Sequence, residues 1–196
     1  HLGGALVVYD PADDEVVVHH QPVKDQNLPT LVYDPEQRLL WGGTDRWGQM
    51  KSAPPTQPSA LIYAFDPKAN TVVHTLTPWP GADVVHVHGI NKGGVLLASQ
   101  GNEVACIDTT TREILYQGTW PVSVGGQWRL GHDGHTYGLS QGVLYRWDSD
   151  KNSITASGVC VGATMLTESE AGRWILADST SVYRLILGST VSQQVD

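Results

Sequence analysis

The chain has 196 residues, 40% of them hydrophobic and only 16% charged, and its 12 basic against 20 acidic side chains leave a formal net charge of -8 at pH 7. That length carries a substantial core. The acidic balance argues against a nucleic-acid partner, whose recognition begins with a basic face, and no apolar run approaches the roughly 20 residues of a membrane span.

The first strand signal is Ala5-Leu6-Val7-Val8-Tyr9, which runs into the turn Asp10-Pro11. The same passage from apolar strand to Asp-led turn recurs at Phe65-Asp66-Pro67, Ile107-Asp108-Thr109 and Trp147-Asp148-Ser149, with a degenerate fifth copy at Tyr183-Arg184-Leu185. The anchors at 9, 65, 107, 147 and 185 fall 56, 42, 40 and 38 residues apart, the period of four-stranded propeller blades with one insertion in the first step. Asp at such a turn accepts a hydrogen bond from the backbone two residues on, and Pro after it presets φ.

Between the anchors each repeat divides into four short strands, A to D. The A strand Thr30 to Tyr33 turns through Asp34-Pro35-Glu36-Gln37 into the B strand Leu39 to Trp41. C and D follow at Ala60 to Phe65 and Thr71 to Leu76. The next repeat reads Val85 to Ile90, Val95 to Ala98, Glu103 to Ile107 and Glu113 to Tyr116. The one after it reads Gln127 to Leu130, Thr136 to Leu139, Val143 to Trp147 and Ser153 to Val159, with Asp133-Gly134 as a tight hairpin. The last offers Ala163 to Leu166, Trp174 to Ala177 and Ser181 to Leu187. No stretch sustains a 3.6-residue period, so almost no helix is expected. The fold class is all-β, a β-propeller of four-stranded antiparallel blades with about four blades' worth in this chain. It spans 1–187 as one unit, with a loop insertion at 45–59 and a C-terminal tail at 188–196. Three closures of the ring are open: a four-bladed ring in which the first and last pieces complete one blade, pairing with a second copy, or missing upstream blades. Because the pattern opens in mid-blade at His1, the last is the expected one.

The segments Leu40-Trp41-Gly42-Gly43-Thr44, the loop containing Pro54-Pro55-Thr56, Leu61-Ile62-Tyr63-Ala64-Phe65-Asp66-Pro67 and Gly125-Gly126-Gln127-Trp128-Arg129-Leu130-Gly131-His132-Asp133-Gly134 resemble bacterial seven-bladed propeller repeat proteins. These are the pyrroloquinoline-quinone-type, gluconolactonase-like and streptogramin-lyase-like repeats. The resemblance covers nearly the whole chain, is carried by blade scaffolding, and implies the fold rather than an activity.

Several residues invite a chemical reading. Gly138-Leu139-Ser140-Gln141-Gly142 matches the G-x-S-x-G pattern of a nucleophile elbow, but that motif opens a helix and this one precedes a strand, so it is a B-to-C turn. His86 and His88, two apart on a strand, share a face and are the metal candidates, although two ligands do not make a site. With Arg129 they are also the candidates for a lyase or lactonase-type centre. His132 and His135 flank a hairpin and read as solvated turn residues. Asp10, Asp66, Asp108 and Asp148 read as scaffolding, one per blade. Cys106 and Cys160 read as buried thiols, without the spacing of a metal pair.

The insertion is the richest segment, since long loops in compact domains usually carry function or are disordered. It supplies Asp45, Arg46 and Trp47, and the connections Pro78-Trp79-Pro80 and Thr119-Trp120-Pro121 share its rim, with Lys24 nearby. Indole faces stack on sugar rings, and Arg and Asp fix hydroxyls or a carboxylate. Any one of these tryptophans reads rather as a structural lid packed on its neighbouring prolines, and the cluster reads equally as lid or platform. The leading expectation is a recognition propeller that holds a carbohydrate-like ligand or another protein through Asp45, Arg46, Trp47, Trp79 and Trp120. The alternatives are an enzyme of polysaccharide-lyase or lactonase type and a pure scaffold. No cofactor is implied, and the lean of the composition, low in charge and rich in Thr, Gln and Trp, is toward an exported protein.

Overall fold

A computed structural model of the chain describes residues 2–48, 53–124, 128–159, 162–169, 173–185 and 192–194. Among these the secondary structure is all strand, without a helix. The chain divides into two compact units, His1–Val87 and His88–Asp196.

In the first unit, β1 (Ala5–Asp10) and β2 (Glu15–His20) form a two-stranded antiparallel ribbon. Beside it stands the sheet β3 (Asn27–Asp34), β4 (Leu39–Asp45), β5 (Ile62–Asp66) and β6 (Thr71–Leu76), paired in chain order. Leu6 and Val23 pack on Tyr63 and Phe65 to form its core.

Three more sheets of the same order follow. The first comprises β7 (His86–Ile90), β8 (Val95–Gln100), β9 (Glu103–Asp108) and β10 (Ile114–Thr119). The second comprises β11 (Trp128–Leu130), β12 (Thr136–Ser140), β13 (Val143–Asp148) and β14 (Ser153–Val159). The third comprises β15 (Met165–Glu168), β16 (Trp174–Ala177), β17 (Val182–Leu185) and β18 (Ser192–Gln194). Strands meander because short connections join antiparallel neighbours.

Within the second unit the inner faces interdigitate between consecutive sheets. Leu97, Val104 and Cys106 pack with Trp120, Trp128 and Trp147, and Tyr137, Leu139 and Leu144 pack with Leu166, Trp174 and Leu176. Such sheet-on-sheet burial of alternate residues is what holds blades together. Within one of these sheets Gly138 makes room for its cross-strand partner: a Cβ there would stand 2.0 Å from the Trp128 indole on the neighbouring strand. Gly43 also makes room in the first unit, where a Cβ would meet the Val85 carbonyl oxygen at 2.1 Å.

The Asp-led turns form as their chemistry requires. Asp66 Oδ1 accepts the N–H groups of Lys68 and Ala69, and Asp108 Oδ1 those of Thr110 and Thr111. Asp10 Oδ1 takes Ala12 N–H at 2.8 Å, and Asp148 Oδ1 takes Lys151 N–H. These carboxylates are thus engaged in their own turns. The Ser140 motif is also a turn: Gln141 and Gly142 have φ of 50° and 74° as β12 passes into β13, and Ser140 Oγ donates to Ser123 O.

One boundary differs from the sequence reading. The pattern leaves residues 188–196 as a tail, but β18 lies within them and pairs with β17 in the register Tyr183↔Gln194. That stretch lacks the Asp-led turn and apolar alternation that mark the other outer strands, so pattern alone has no handle on it.

Candidate functional site

The insertion is stitched to its own unit by its charged groups. Arg46 Nε and Nη2 reach Asp83 Oδ1 at 2.8 and 2.7 Å, and Nη1 donates to Pro58 O at 2.7 Å. Asp45 Oδ1 accepts Trp47 N–H, and Asn27 Nδ2 donates to Trp47 O. Beneath them Thr44, wholly buried, donates to Gln26 Oε1 and accepts Leu61 N–H at 2.7 Å, while Gln26 Nε2 donates to Ser59 O. Gln49, Met50, Lys51 and Ser52, in the middle of the expected loop, lie outside the described residues.

The expected ring of exposed indoles takes another form. Trp79 is 6% exposed and Trp120 3%. Trp120 packs among Leu97, Val104 and Trp128, and its Nε1 donates to Asn152 O at 3.0 Å. Both indoles are turned inward from connections that adjacent prolines stiffen, so their faces are spent on the protein itself. Trp47 is half-buried and Lys24 exposed. Asp45, Arg46 and Trp47 are the part of that group with solvent-accessible surface close together in one unit.

The two histidines of β7 differ from one another. His86 is half-buried, which lowers its pKa, and the Asp45 carboxylate partly offsets the effect. His88 is buried, with Nε2 at 2.7 Å from Ser99 Oγ, whose proton goes on to Val124 O at 3.0 Å. The serine therefore accepts from His88 Nε2–H, the reverse of the direction a histidine base needs to activate a hydroxyl. Arg129 lies on β11 beside an apolar cleft with Met165, Ile175 and Val182. Among the described residues no three His, Cys, Asp or Glu side chains gather as metal ligands. Burial pushes the Cys106 thiol up to about 12, and Cys160 lies outside the described residues.

Sequence reasoning missed two features. In the second unit His132 Nδ1 and backbone N–H both meet Glu168 Oε2, at 2.8 and 2.9 Å, so His132 is held rather than merely solvated. In the first unit the exposed face of the ribbon is apolar. Val7 stands opposite Val18 and Tyr9 opposite Val16, and all four are between 45% and 58% exposed. The other face is spent on the core, with Leu6 buried and the His19 ring 5.0 Å from that of Phe65.

The ribbon is also open along an edge. In the four larger sheets the strand that leads into the turn (β5, β9, β13 or β17) is interior, paired on both sides. β1 leads into the same kind of turn, yet among the described residues it pairs with β2 alone. An alternation of valines on a ribbon signals a strand, but not that its second face will lack a cover.

No protein-family model and no curated protein matches the chain. Solved structures do, 472 chains among them. One is the structure of U3-55K, with a TM-score of 0.67 over 96% of this chain at 14% identity. The chain covers 56% of that protein, so it spans little more than half its length. At that identity the likeness shows the fold, a β-propeller of four-stranded antiparallel blades.

Proposed function

We propose that this chain is an interaction propeller, and that it takes a protein partner by strand addition along β1. The observation that carries the reading is the ribbon: an unpaired strand edge among the described residues, flanked by the exposed face of Val7, Tyr9, Val16 and Val18. An open edge offers a row of backbone donors and acceptors, and an adjacent apolar face supplies the burial that backbone pairing alone lacks. Further blades of a longer propeller, a second copy, or a different protein all present this chemistry, and the first of these fits the seven-bladed repeat type that the sequence resembles.

The test pairs Val7→Lys with Val16→Lys in the full chain. Sedimentation velocity and photo-crosslinking from Val18 then compare the variant with the parent. Loss of a self-associated species or of a discrete crosslinked protein supports the reading. A parent chain that stays monomeric and yields no discrete adduct overturns it.

A carbohydrate-like ligand at Asp45, Arg46 and Trp47 is a finer reading, supported by the partial exposure of these three consecutive residues. A panel of acidic and neutral glycans that leaves tryptophan fluorescence unchanged removes it.

A further inference from the structure

In the first unit the uncovered apolar surface does not end at the ribbon. Leu31 and Tyr33 of β3 are 46% and 53% exposed. Residues opposite one another across a ladder share a face. Leu31 stands opposite Gly42 and Tyr33 opposite Leu40, and these in turn stand opposite Tyr63 and Phe65. That is the face on which Leu6 of β1 packs. β2 lies over its β5 and β6 side, with the His19 ring on Phe65 and a cleft shared with Thr71 and Val72. Since β1 has β2 on one side, its open edge points the other way, toward β3.

Leu31 holds a position that is buried in the other sheets. It stands three residues before Asp34, which opens the turn to the second strand. His88, Trp128 and Leu166 stand three before Asn91, Gly131 and Ser169, which open the same turn in the other three sheets. Those counterparts are 8%, 4% and 3% exposed. In the second unit the cover is the preceding sheet: Trp128 clusters with Leu97 of β8 and Val104 of β9, and Leu166 with Leu139 of β12 and Leu144 of β13. β8 and β12 are second strands, each antiparallel to the third strand beside it. β1 is a third strand by its Asp-led turn, and among the described residues the second place beside it is empty. Tyr33 carries less weight, because its counterpart Leu130 is 48% exposed with the preceding sheet in place.

We propose that β1 accepts a β-hairpin whose second strand pairs antiparallel with the open edge and sets an apolar side chain over Leu31, while its first strand completes a sheet of four. A lone strand would leave its own far edge open. The hairpin belongs to a segment outside these 196 residues, because every described strand other than β1 and β2 already sits in a sheet of four and a second copy has none to spare. This form of docking rests on the strand-addition reading above and adds its anchor.

The probe is a head-to-tail cyclised peptide of residues 128–140, a hairpin of first and second strands whose Leu139 clusters with Leu166 in the second unit; cyclisation holds a hairpin that alone is marginal. It is titrated into the full chain with ¹³C-labelled leucine methyls. The expected result is a saturable shift of the Leu31 methyls together with slowed exchange of β1 amides. Affinity should fall at least about tenfold with a Leu139→Lys peptide or a Leu31→Lys chain, since each removes the burial of one leucine. Leu31 is about half exposed, so its variant should keep the fold, and the peptide variant reports in any case. Slowed β1 amides with binding indifferent to Leu31→Lys, or a linear peptide of residues 136–140 that binds as tightly, would overturn the hairpin and leave strand addition standing. A Leu31 shift that grows with chain concentration in the absence of peptide would assign the cover to a second copy and overturn it too. So would no response at either place, whereas strand addition itself is decided by Val7→Lys with Val16→Lys.

Discussion

The Arg46 loop of the first unit and the buried Thr136–Trp147 pair of the second are opposites. The loop gathers charge and aromatic surface, and its polar groups are consumed in holding it down: Arg46 by Asp83 and Pro58, Thr44 by Gln26 and Leu61. The pair stands on the plain strands β12 and β13, directly opposite in register, and both of its buried polar atoms are left without partners among the described residues. Conspicuous side chains are therefore a poor guide to free valences here. What counts is whether a donor is already satisfied, which depends on partners distant in sequence.

Substitutions of the same chemistry should separate the two places, and the largest effect is expected at Thr44. Thr44→Val strands the Gln26 carbonyl and the Leu61 N–H in the interior and should cost about 2–3 kcal/mol in denaturant unfolding. Thr136→Val removes a hydroxyl that has no partner among the described residues, so it should be neutral or stabilising by up to about 1 kcal/mol. Equal losses at both positions would break the comparison. Arg46→Ala should cost under about 1 kcal/mol, because the Asp83 carboxylate is about half exposed and solvent screens the pair. Its clearer sign is faster amide exchange at Gln57 and Ser59, beside the Pro58 carbonyl that Arg46 Nη1 holds, read by mass spectrometry.

The smallest effect is a titration. His86 has its pKa lowered by burial, against the opposing pull of Asp45. With the folded value below the unfolded one, the unfolded chain binds the extra proton, so this contribution is present above the unfolded value near about 6.5 and is lost as pH falls through the folded value. Asp45→Asn removes the pull that raises it, so the His86 imidazole should titrate still lower by NMR. An upward move would show that Asp45 is not its electrostatic neighbour.

Most of the architecture could be read from the residues, because the Asp-led turns and the two-residue alternation are local. Phe65-Asp66-Pro67 shows its turn in three letters, and the structure forms it through Asp66 Oδ1. Contacts between sheets could not be read this way. Trp79 and Trp120 read in sequence as either a lid packed on adjacent prolines or an exposed platform, and the packed structure decides for the buried form. Arg46 gave no hint of Asp83, 37 residues on. Trp147 was legible as core, and correctly so, but that its N–H lacks a partner among the described residues could not be read from the sequence. β18 escaped for want of pattern, since pairing with β17 rather than its own composition makes it a strand.

The central claim is that β1 is an open edge made to be paired, and hydrogen exchange at Ala5–Asp10 tests it most directly. In the dilute monomer, alternate amides of β1 should exchange rapidly while those of the interior strand β5 stay protected, and assembly with a partner should slow the fast set. Uniform protection of β1 in the monomer, equal to that of β5 and unchanged on concentration or in host extract, would contradict it.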